Sequence, residues 1–464
     1  MTSLSPSAPA IVDETLGGKA FAAGASAYES SRQVWNATID RYPALVIRCD
    51  SVEDVQAAVK HAVSLGAPVS VRGGGHNIAG TAVGDGAVMI DLSAMNKVEV
   101  DSVAKCVCVG GGATLAKLDA ETQLHGLATP GGVVSSTGVG GLTLGGGIGW
   151  LARRHGLSID NFVSAQVVLA DGRLLTASEA ENADLFWALR GGGGNFGVVT
   201  RFEFRLHPVG PEVCFGPTFF ALSDAAEVLT AYAREAEHLT RDACVWANLM
   251  TAPPFDAVPV HWHGQKVLTL LQFHAGQQEQ AVSDLSPLNG GVTPIGNAFG
   301  PRSFVEAQSF LDPAYEFGAR NYWRSHNHLT LTPELISTLV DLVPDLPTPE
   351  SELLICQIGG AVGDVAHDAT AFAHRGVRFM STPGVRWAEP GDDAAMIAWL
   401  RNASDRIAEQ AVPGAYVNFV AEDGAADSAY ASNLARLRRI KGRYDPNNLF
   451  RVNQNIEPIG APDS

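Results

Sequence analysis

The stretch VRGGGHNIAG at residues 71–80 sets three consecutive glycines directly against a histidine and an asparagine. Glycine runs let backbone approach a partner closely or adopt positive φ. The imidazole beside them can serve as a ligand, a base, a nucleophile or a plain loop residue. Upstream, ALVIRC (residues 44–49) reads as a short strand. Ser51 then caps VEDVQAAVKHAVSLG, which carries acidic residues in its first turn, apolar residues at helical spacing and a closing Gly66. APVSVRG returns as a second strand. A strand–helix–strand unit therefore delivers the Gly73–Gly75 loop at a strand end.

The pattern continues with strands in residues 87–110, a second glycine run and a helix from about Thr114. A glycine-rich segment, VVSSTGVGGLTLGGGIGW, occupies residues 133–150. FVSAQVVLADGRLLTAS reads as a hairpin turning at Asp171-Gly172. ENADLFWALRG reads as a helix and GVVTRFEFRLHPVG as a closing strand. Pro208, Gly210 and Pro211 then punctuate a boundary. From 211 to about 410 the glycine runs disappear. Helical patterns such as SDAAEVLTAYAREAEHL and TPELISTLVDLVPDL alternate with strand-like VLTLLQFHAG and LLICQIGGAVGDV, the texture of an α+β domain. Residues 411–464 form a tail with a basic helix, a turn at Asp445-Pro446 and an asparagine-rich end.

The chain has 464 residues, long enough for two or three domains. Its net charge is 32 − 49 = −17, which argues against nucleic acid or an anionic membrane surface as partner. MTSLSPSAPAIVDE lacks the basic start and apolar run of a secretory signal, and no uncharged apolar stretch reads as a membrane span. The six cysteines form no CxxC pair and are expected to be reduced thiols. The expectation is a cytoplasmic protein. His261 and His263 alternate, but no third metal ligand accompanies them, and they read as part of a surface strand.

Glycine backbone most often cradles phosphate. GGGNFG at residues 192–197 matches G-x-G-x-x-G, yet here the helix precedes the glycines and the strand follows them. That is the reverse of a nicotinamide Rossmann site. No phosphate-binding G-x-x-x-x-G-K-[ST] occurs. A dinucleotide held by several glycine loops remains. SVRGGGHNIAG, TGVGGLTLGGGIGWLARRHGLSIDN, LFWALRGGGGNFGVVTRFEF and YDPNNLFRVNQNI, in that order, resemble the berberine-bridge-enzyme-like FAD-linked oxidases of the vanillyl-alcohol-oxidase superfamily.

The resemblance implies a two-lobed α+β flavoprotein. Residues 1–210 would form the FAD-binding domain and 211–410 the substrate domain, with 411–464 returning to the first lobe. It implies that His76 bonds covalently to the flavin 8α carbon. Many relatives add a cysteine link, but Val134 stands at about that place, so one link is expected. Arg72, Gly73, Gly74, Gly75, His76, Asn77 and Gly80 would line the first flavin loop. Thr137, Gly138, Gly141, Gly145, Gly149, Asp160, Asn161, Val199, Asn453 and Asn455 would complete the cofactor site. For any one glycine, a purely conformational role stays open.

AYVNFV places Tyr416 and Asn418 on one face of an expected strand, with Tyr416 as base or proton relay and Asn418 toward substrate. Tyr322 and Gln357 are further substrate-side candidates, while His374 and Arg375 are expected to tie strands together. The segment after AFAHR holds no acid at the place where berberine bridge enzyme has its glutamate. The implied reaction is two-electron oxidation of an alcohol or amine carbon on a small molecule, with oxygen reoxidising the flavin. A dehydrogenase with another acceptor and a non-catalytic flavin-binding protein are the alternatives.

Overall fold

The computed structural model describes Leu16, residues 18–421 and residues 426–459. The N-terminal residues read above for a targeting signal lie outside them. The protein has two α+β lobes built on three main sheets. The first sheet holds Ala20–Phe21 (β1), Leu45–Arg48 (β2), Val69–Arg72 (β3) and Val88–Asp91 (β4) in the order β1-β2-β4-β3. Strands β2 and β3 both run parallel to β4. A parallel neighbour requires a crossover, and the helix Val52–Leu65 supplies it. Ser51 accepts from Asp54 N while Asp54 reaches back, and Gly66 ends the helix at φ 63°. Val55, Ala58, Val59 and Ala62 face Leu45, Ile47 and Ile90. Each of these larger aliphatic side chains contributes roughly 1.5–3 kcal/mol by burial.

The second sheet is antiparallel. It comprises Val98–Asp101 (β5), Cys106–Gly110 (β6), Phe162–Val168 (β8), Leu174–Ser178 (β9) and Val198–Arg205 (β10), ordered β5-β6-β10-β8-β9. A small ribbon pairs Leu127–Ala128 (β7) with His207–Pro208 (β11). The chain then enters the third sheet directly at Glu212–Ala221 (β12). This sheet adds Ala243–Thr251 (β13), Lys266–His274 (β14), Gly296–Asn297 (β15), Gly300–Ser303 (β16), Arg320–Trp323 (β17), His326–His328 (β18), Glu352–Gln357 (β19) and Phe379–Trp387 (β20). Its main order is β15-β12-β14-β13-β19-β20-β17.

Both faces of the third sheet are covered, and the two-residue period of its strands sorts side chains between them. Val245, Ala247, Leu249, Leu268, Leu270 and Leu353 pack under the helices Ala225–Glu235, Pro333–Leu342 and Asp393–Ala408. Trp246, Leu271, Leu354, Cys356 and Met380 face the first lobe, joining Ile148, Trp150 and Tyr416. The helix Leu434–Tyr444 belongs to the first lobe's core through Leu437 and Ile440. Its buried Lys441 donates to Asp445 at 2.6 Å, Asn195 O at 2.6 Å and Phe450 O at 2.9 Å. A buried ammonium is tolerated only when paired and hydrogen-bonded, so this knot locks the tail onto the glycine turn around Asn195.

Three expectations about local structure change. Asn418 lies in a short 3-10 turn over Val417–Phe419 and Tyr416 caps it, rather than both lying on a strand. His261 lies in the 3-10 turn Val260–Trp262, with His263 just after it. His374 and Arg375 tie their own loop to short helical segments rather than strand to strand. His374 Nε2 meets Ala429 O at 3.1 Å, and Arg375 grips Asp160 with two bonds of 2.7 Å.

Candidate active site

A cavity of about 780 Å³ lies between the first lobe's glycine loops and the inner face of the third sheet, within the size range of ligand sites. Gly73, Gly74, Gly75, Asn77, Thr137, Gly138, Gly141, Val199 and Asn453 are on its wall. The glycines have different reasons to be there. A Cβ on Gly74 would sit 2.3 Å from Gly138 N, and one on Gly138 would sit 2.3 Å from Gly74 N. Two loop backbones thus touch where any side chain would push them apart. At Gly141 and Gly194 an added Cβ would meet nothing within 4 Å. There the bare backbone faces the cavity itself. Asn453 Oδ1 is buried with no partner among the described residues. A long, backbone-lined trough with an unmet polar atom fits a dinucleotide such as FAD.

Other expected cofactor residues support this wall from behind. Arg72 donates to Ser31 O, and Gly80 makes room for Ile39. Gly145 leaves space for the Asn418 amide, which a Cβ would strike at 2.1 Å, and Gly149 lies against Gly131 O. Asp160 holds Arg375 and the Leu157 amide. Asn161 donates to His155 O and Leu157 O, and its Oδ1 lies 2.6 Å from His207 Nε2. Asn455 is also off the wall. These residues shape the trough without lining it.

His76 is on the wall. Its Nε2 lies 2.7 Å from Ser136 Oγ. Trp35 stacks on one face with ring centroids 5.5 Å apart, and Phe317 meets the ring edge-on at 5.0 Å. Burial lowers the imidazole pKa to about 4, because an apolar setting penalises the cation. The ring is therefore neutral near pH 7. Engaging Nε2 with Ser136 leaves Nδ1 as the free nitrogen. Neither Trp35, in the segment RQVWNATIDR, nor Ser136 is singled out by the sequence motifs.

Tyr416 is buried on the same cavity. Its phenol oxygen accepts from Gly147 N at 3.0 Å and from Asn418 Nδ2 at 2.9 Å. Asn418 Nδ2 also donates to Leu142 O at 3.0 Å. Burial raises the Tyr416 pKa above its ordinary value, partly offset by these two donors. A chain of ring contacts, His76–Trp35–Trp323–Phe419–Tyr416, connects the two candidate residues, with centroid spacings of 5.1 to 5.5 Å.

Two substrate-side expectations are corrected. Gln357 is off the cavity: its Oε1 accepts from Val245 N at 3.0 Å and its Nε2 donates to Ala236 O at 3.3 Å. It joins a strand to a helix end. Tyr322 points under the helix Asp393–Ala408, among Val385, Trp387 and Leu400. The neighbouring Trp323 is on the cavity wall instead. Adjacent residues of β17 point to opposite faces of the sheet, so the cavity receives Trp323 and not Tyr322. His326 shares the helix-facing side with Tyr322, through Ser404 Oγ at 2.8 Å.

Comparison with known proteins agrees with this architecture. The chain matches the FAD binding domain family over residues 43–178 and the "Berberine and berberine like" family over residues 415–457. It is 30% identical to the FAD-linked oxidoreductase pgmH of Aspergillus terreus, over 91% of this chain and 90% of that protein. The crystal structure of 6-hydroxy-D-nicotine oxidase from Arthrobacter nicotinovorans superposes with a TM-score of 0.85 at 25% identity, covering 96% of this chain and 98% of that one. Glucooligosaccharide oxidase from Acremonium strictum, described with a 6-S-cysteinyl, 8α-N1-histidyl FAD, shares the fold with a TM-score of 0.84 at 24% identity, covering 94% and 96%. The chain is an FAD-linked oxidoreductase. It belongs to the berberine-bridge-enzyme-like family.

Proposed function

We propose that this enzyme is an oxidase carrying FAD on a single histidyl bond through His76, and that it oxidises an alcohol or amine carbon of a small molecule. The observation that carries the reading is a neutral, stacked imidazole on the glycine wall of a cavity whose wall also holds Tyr416 and Asn418. Val134 is on the wall and offers no sulfur for a second bond. FAD held there would supply two-electron chemistry: acceptance of a hydride from the substrate carbon, and its passage with the released proton to oxygen as hydrogen peroxide.

The protein's own residues do the rest. Gly73–Gly75, Thr137, Gly138, Gly141 and Val199 present backbone to the cofactor. Ser136 holds the His76 tautomer. Asn418 and the Gly147 amide occupy the acceptor sites of Tyr416 Oη, which directs its O–H away from both. Tyr416 then holds or relays the proton that leaves the substrate heteroatom.

Acid denaturation tests the reading. Flavin absorbance and a matching mass increment should stay with the wild-type polypeptide and leave His76→Ala. Peroxide release on substrate addition, in step with oxygen uptake, should follow. Flavin that washes out of both proteins overturns the covalent link. Flavin that stays bound but is reoxidised only by an added acceptor, and not by air, makes the protein a dehydrogenase.

A further inference from the structure

The sheet side of the cavity carries one carboxylate. Glu352 opens β19, and its Oε1 accepts from Tyr315 Oη at 2.5 Å while Oε2 accepts from Asn248 Nδ2 at 2.6 Å. Its neighbours across the strands are Met250 and Gly384. Gly384 adds no side chain over it, so the carboxylate opens toward the cavity. The next rung of the sheet runs Thr269–Asn248–Leu354–Thr382 across β14, β13, β19 and β20. Thr269 Oγ1, Asn248 Oδ1 and Thr382 Oγ1 are buried on that rung without a hydrogen-bond partner among the described residues. Their residues are 2%, 4% and 5% exposed, and all three are on the cavity wall.

The charges are one-sided. Among the described residues, no lysine, arginine or aspartate lines the cavity, and its histidine, His76, is held neutral. Arg386 acts on Glu352 only through its field. Its donors go to Glu350 Oε2, Asn321 Oδ1 and Glu316 O. A buried carboxylate without a counter-charge and a set of unmet oxygens are both costly. A ligand that brings N–H donors and a positive charge relieves both at once. Trp246, Phe255, Phe310, Tyr315 and Trp323 stand around the same space, and aromatic faces attract cations. A neutral polyol would need donors and acceptors in balance, whereas the carboxylate and the amide oxygen offer acceptance alone.

We propose that Glu352, with Asn248, Thr269 and Thr382, forms a subsite for a protonated amine on an apolar body, and that the enzyme's substrates are amines of this kind. The assignment rests on reading this cavity as the substrate site of a flavoenzyme.

The test uses the anaerobic holoenzyme and three probes of one shape: 3-phenylpropylamine, 3-phenylpropan-1-ol and 3-phenylpropionate. Binding is read from cavity tryptophan fluorescence and flavin difference spectra. The amine should bind at least about tenfold tighter than the alcohol, and the carboxylate weakest. Glu352→Gln should remove the amine's advantage by weakening amine binding far more than alcohol binding, and Glu352→Asp should keep part of it. Retained flavin and an unchanged melting temperature show that the variants fold. Equal binding of amine and alcohol to the wild type overturns the proposal, as does no amine binding or a preference that survives Glu352→Gln. A protein purified without flavin would instead fail the flavoenzyme reading, which the probe comparison does not measure.

Discussion

Asn418 Nδ2 donates to Tyr416 Oη at 2.9 Å, Asn418 from the 3-10 turn Val417–Phe419 and Tyr416 from the residue that caps it. The Gly147 amide donates to the same oxygen at 3.0 Å. Burial pushes the Tyr416 pKa up, and these donors pull it part of the way back. Near neutrality the residue is a phenol. If it takes the substrate proton, the reductive rate should climb as pH rises toward its pKa. Tyr416→Phe should lower flavin reduction by about 10²- to 10⁴-fold and flatten that climb. Asn418→Leu removes one stabilising donor and should move the climb to higher pH. Stopped-flow reduction across pH 6–10 measures both; a Tyr416→Phe profile that overlays the wild type would assign the residue to packing.

Ser136 Oγ stands 2.7 Å from His76 Nε2 and fixes which imidazole nitrogen is free. Ser136→Ala releases that choice without disturbing the Trp35 and Phe317 contacts. The expected result is a slower rise of acid-stable flavin in apoprotein mixed with FAD, with noncovalent binding preserved. A Ser136→Thr variant, which keeps the hydroxyl, should restore the rate. Identical time courses for wild type and Ser136→Ala would leave the hydroxyl without a positioning role.

Gly138 and Gly141 lie three residues apart and should respond in opposite ways. A Cβ at Gly138 would press on Gly74 N at 2.3 Å, and neither backbone can yield easily. Gly138→Ala should cost about 1–3 kcal/mol or more of stability even without flavin. At Gly141, inside the helix Val139–Leu144, a Cβ meets open space. Gly141→Ala should leave the apoprotein as stable as before, or better by up to about 1 kcal/mol. It should nevertheless weaken FAD retention, because the methyl group enters the trough. Melting curves with and without FAD separate the two effects.

Much of this was legible in the sequence where the determinants are local. The Ser51–Asp54 capping box, the Gly66 stop and the flanking apolar runs all lie between residues 45 and 72, and the unit they describe forms as expected. The glycine motifs marked the trough, though they did not separate wall residues such as Gly141 from supports such as Gly145. Side-chain direction near the third sheet was less legible. Within β17 the two-residue period puts Tyr322 under the helix Asp393–Ala408 and Trp323 on the cavity, and the period alone does not tell which face of the strand meets which lobe. Glu352 carries no motif at all. Its meaning depends on Asn248, 104 residues earlier in the chain and one strand away.

Buried ionisable groups should confine stability between an acid and an alkaline limit. Burial lowers His76, His207 and His326 to about 4 and His155 to about 3, against an ordinary value of 6.5. Between these values the unfolded chain binds more protons than the folded one. Their contribution is therefore fully present above about pH 6.5 and is lost as pH falls toward 4. Asp119 behaves oppositely. It is buried between the helices Leu115–Gln123 and Phe304–Ser309, with Gln308 Nε2 donating to it at 3.1 Å, and burial raises its pKa to about 7. The folded protein holds this proton more tightly, so Asp119 costs nothing below about pH 3.8, and the cost grows until about pH 7. Asp119→Asn keeps an acceptor for Gln308 and removes the charge. Its advantage over wild type should be absent at pH 3.5, increase through pH 5 and 6, and level off by pH 8 at on the order of 4 kcal/mol. Denaturant titrations at those four pH values measure it. An advantage independent of pH would mean that Asp119 is already neutral, or equally ionised, in both states.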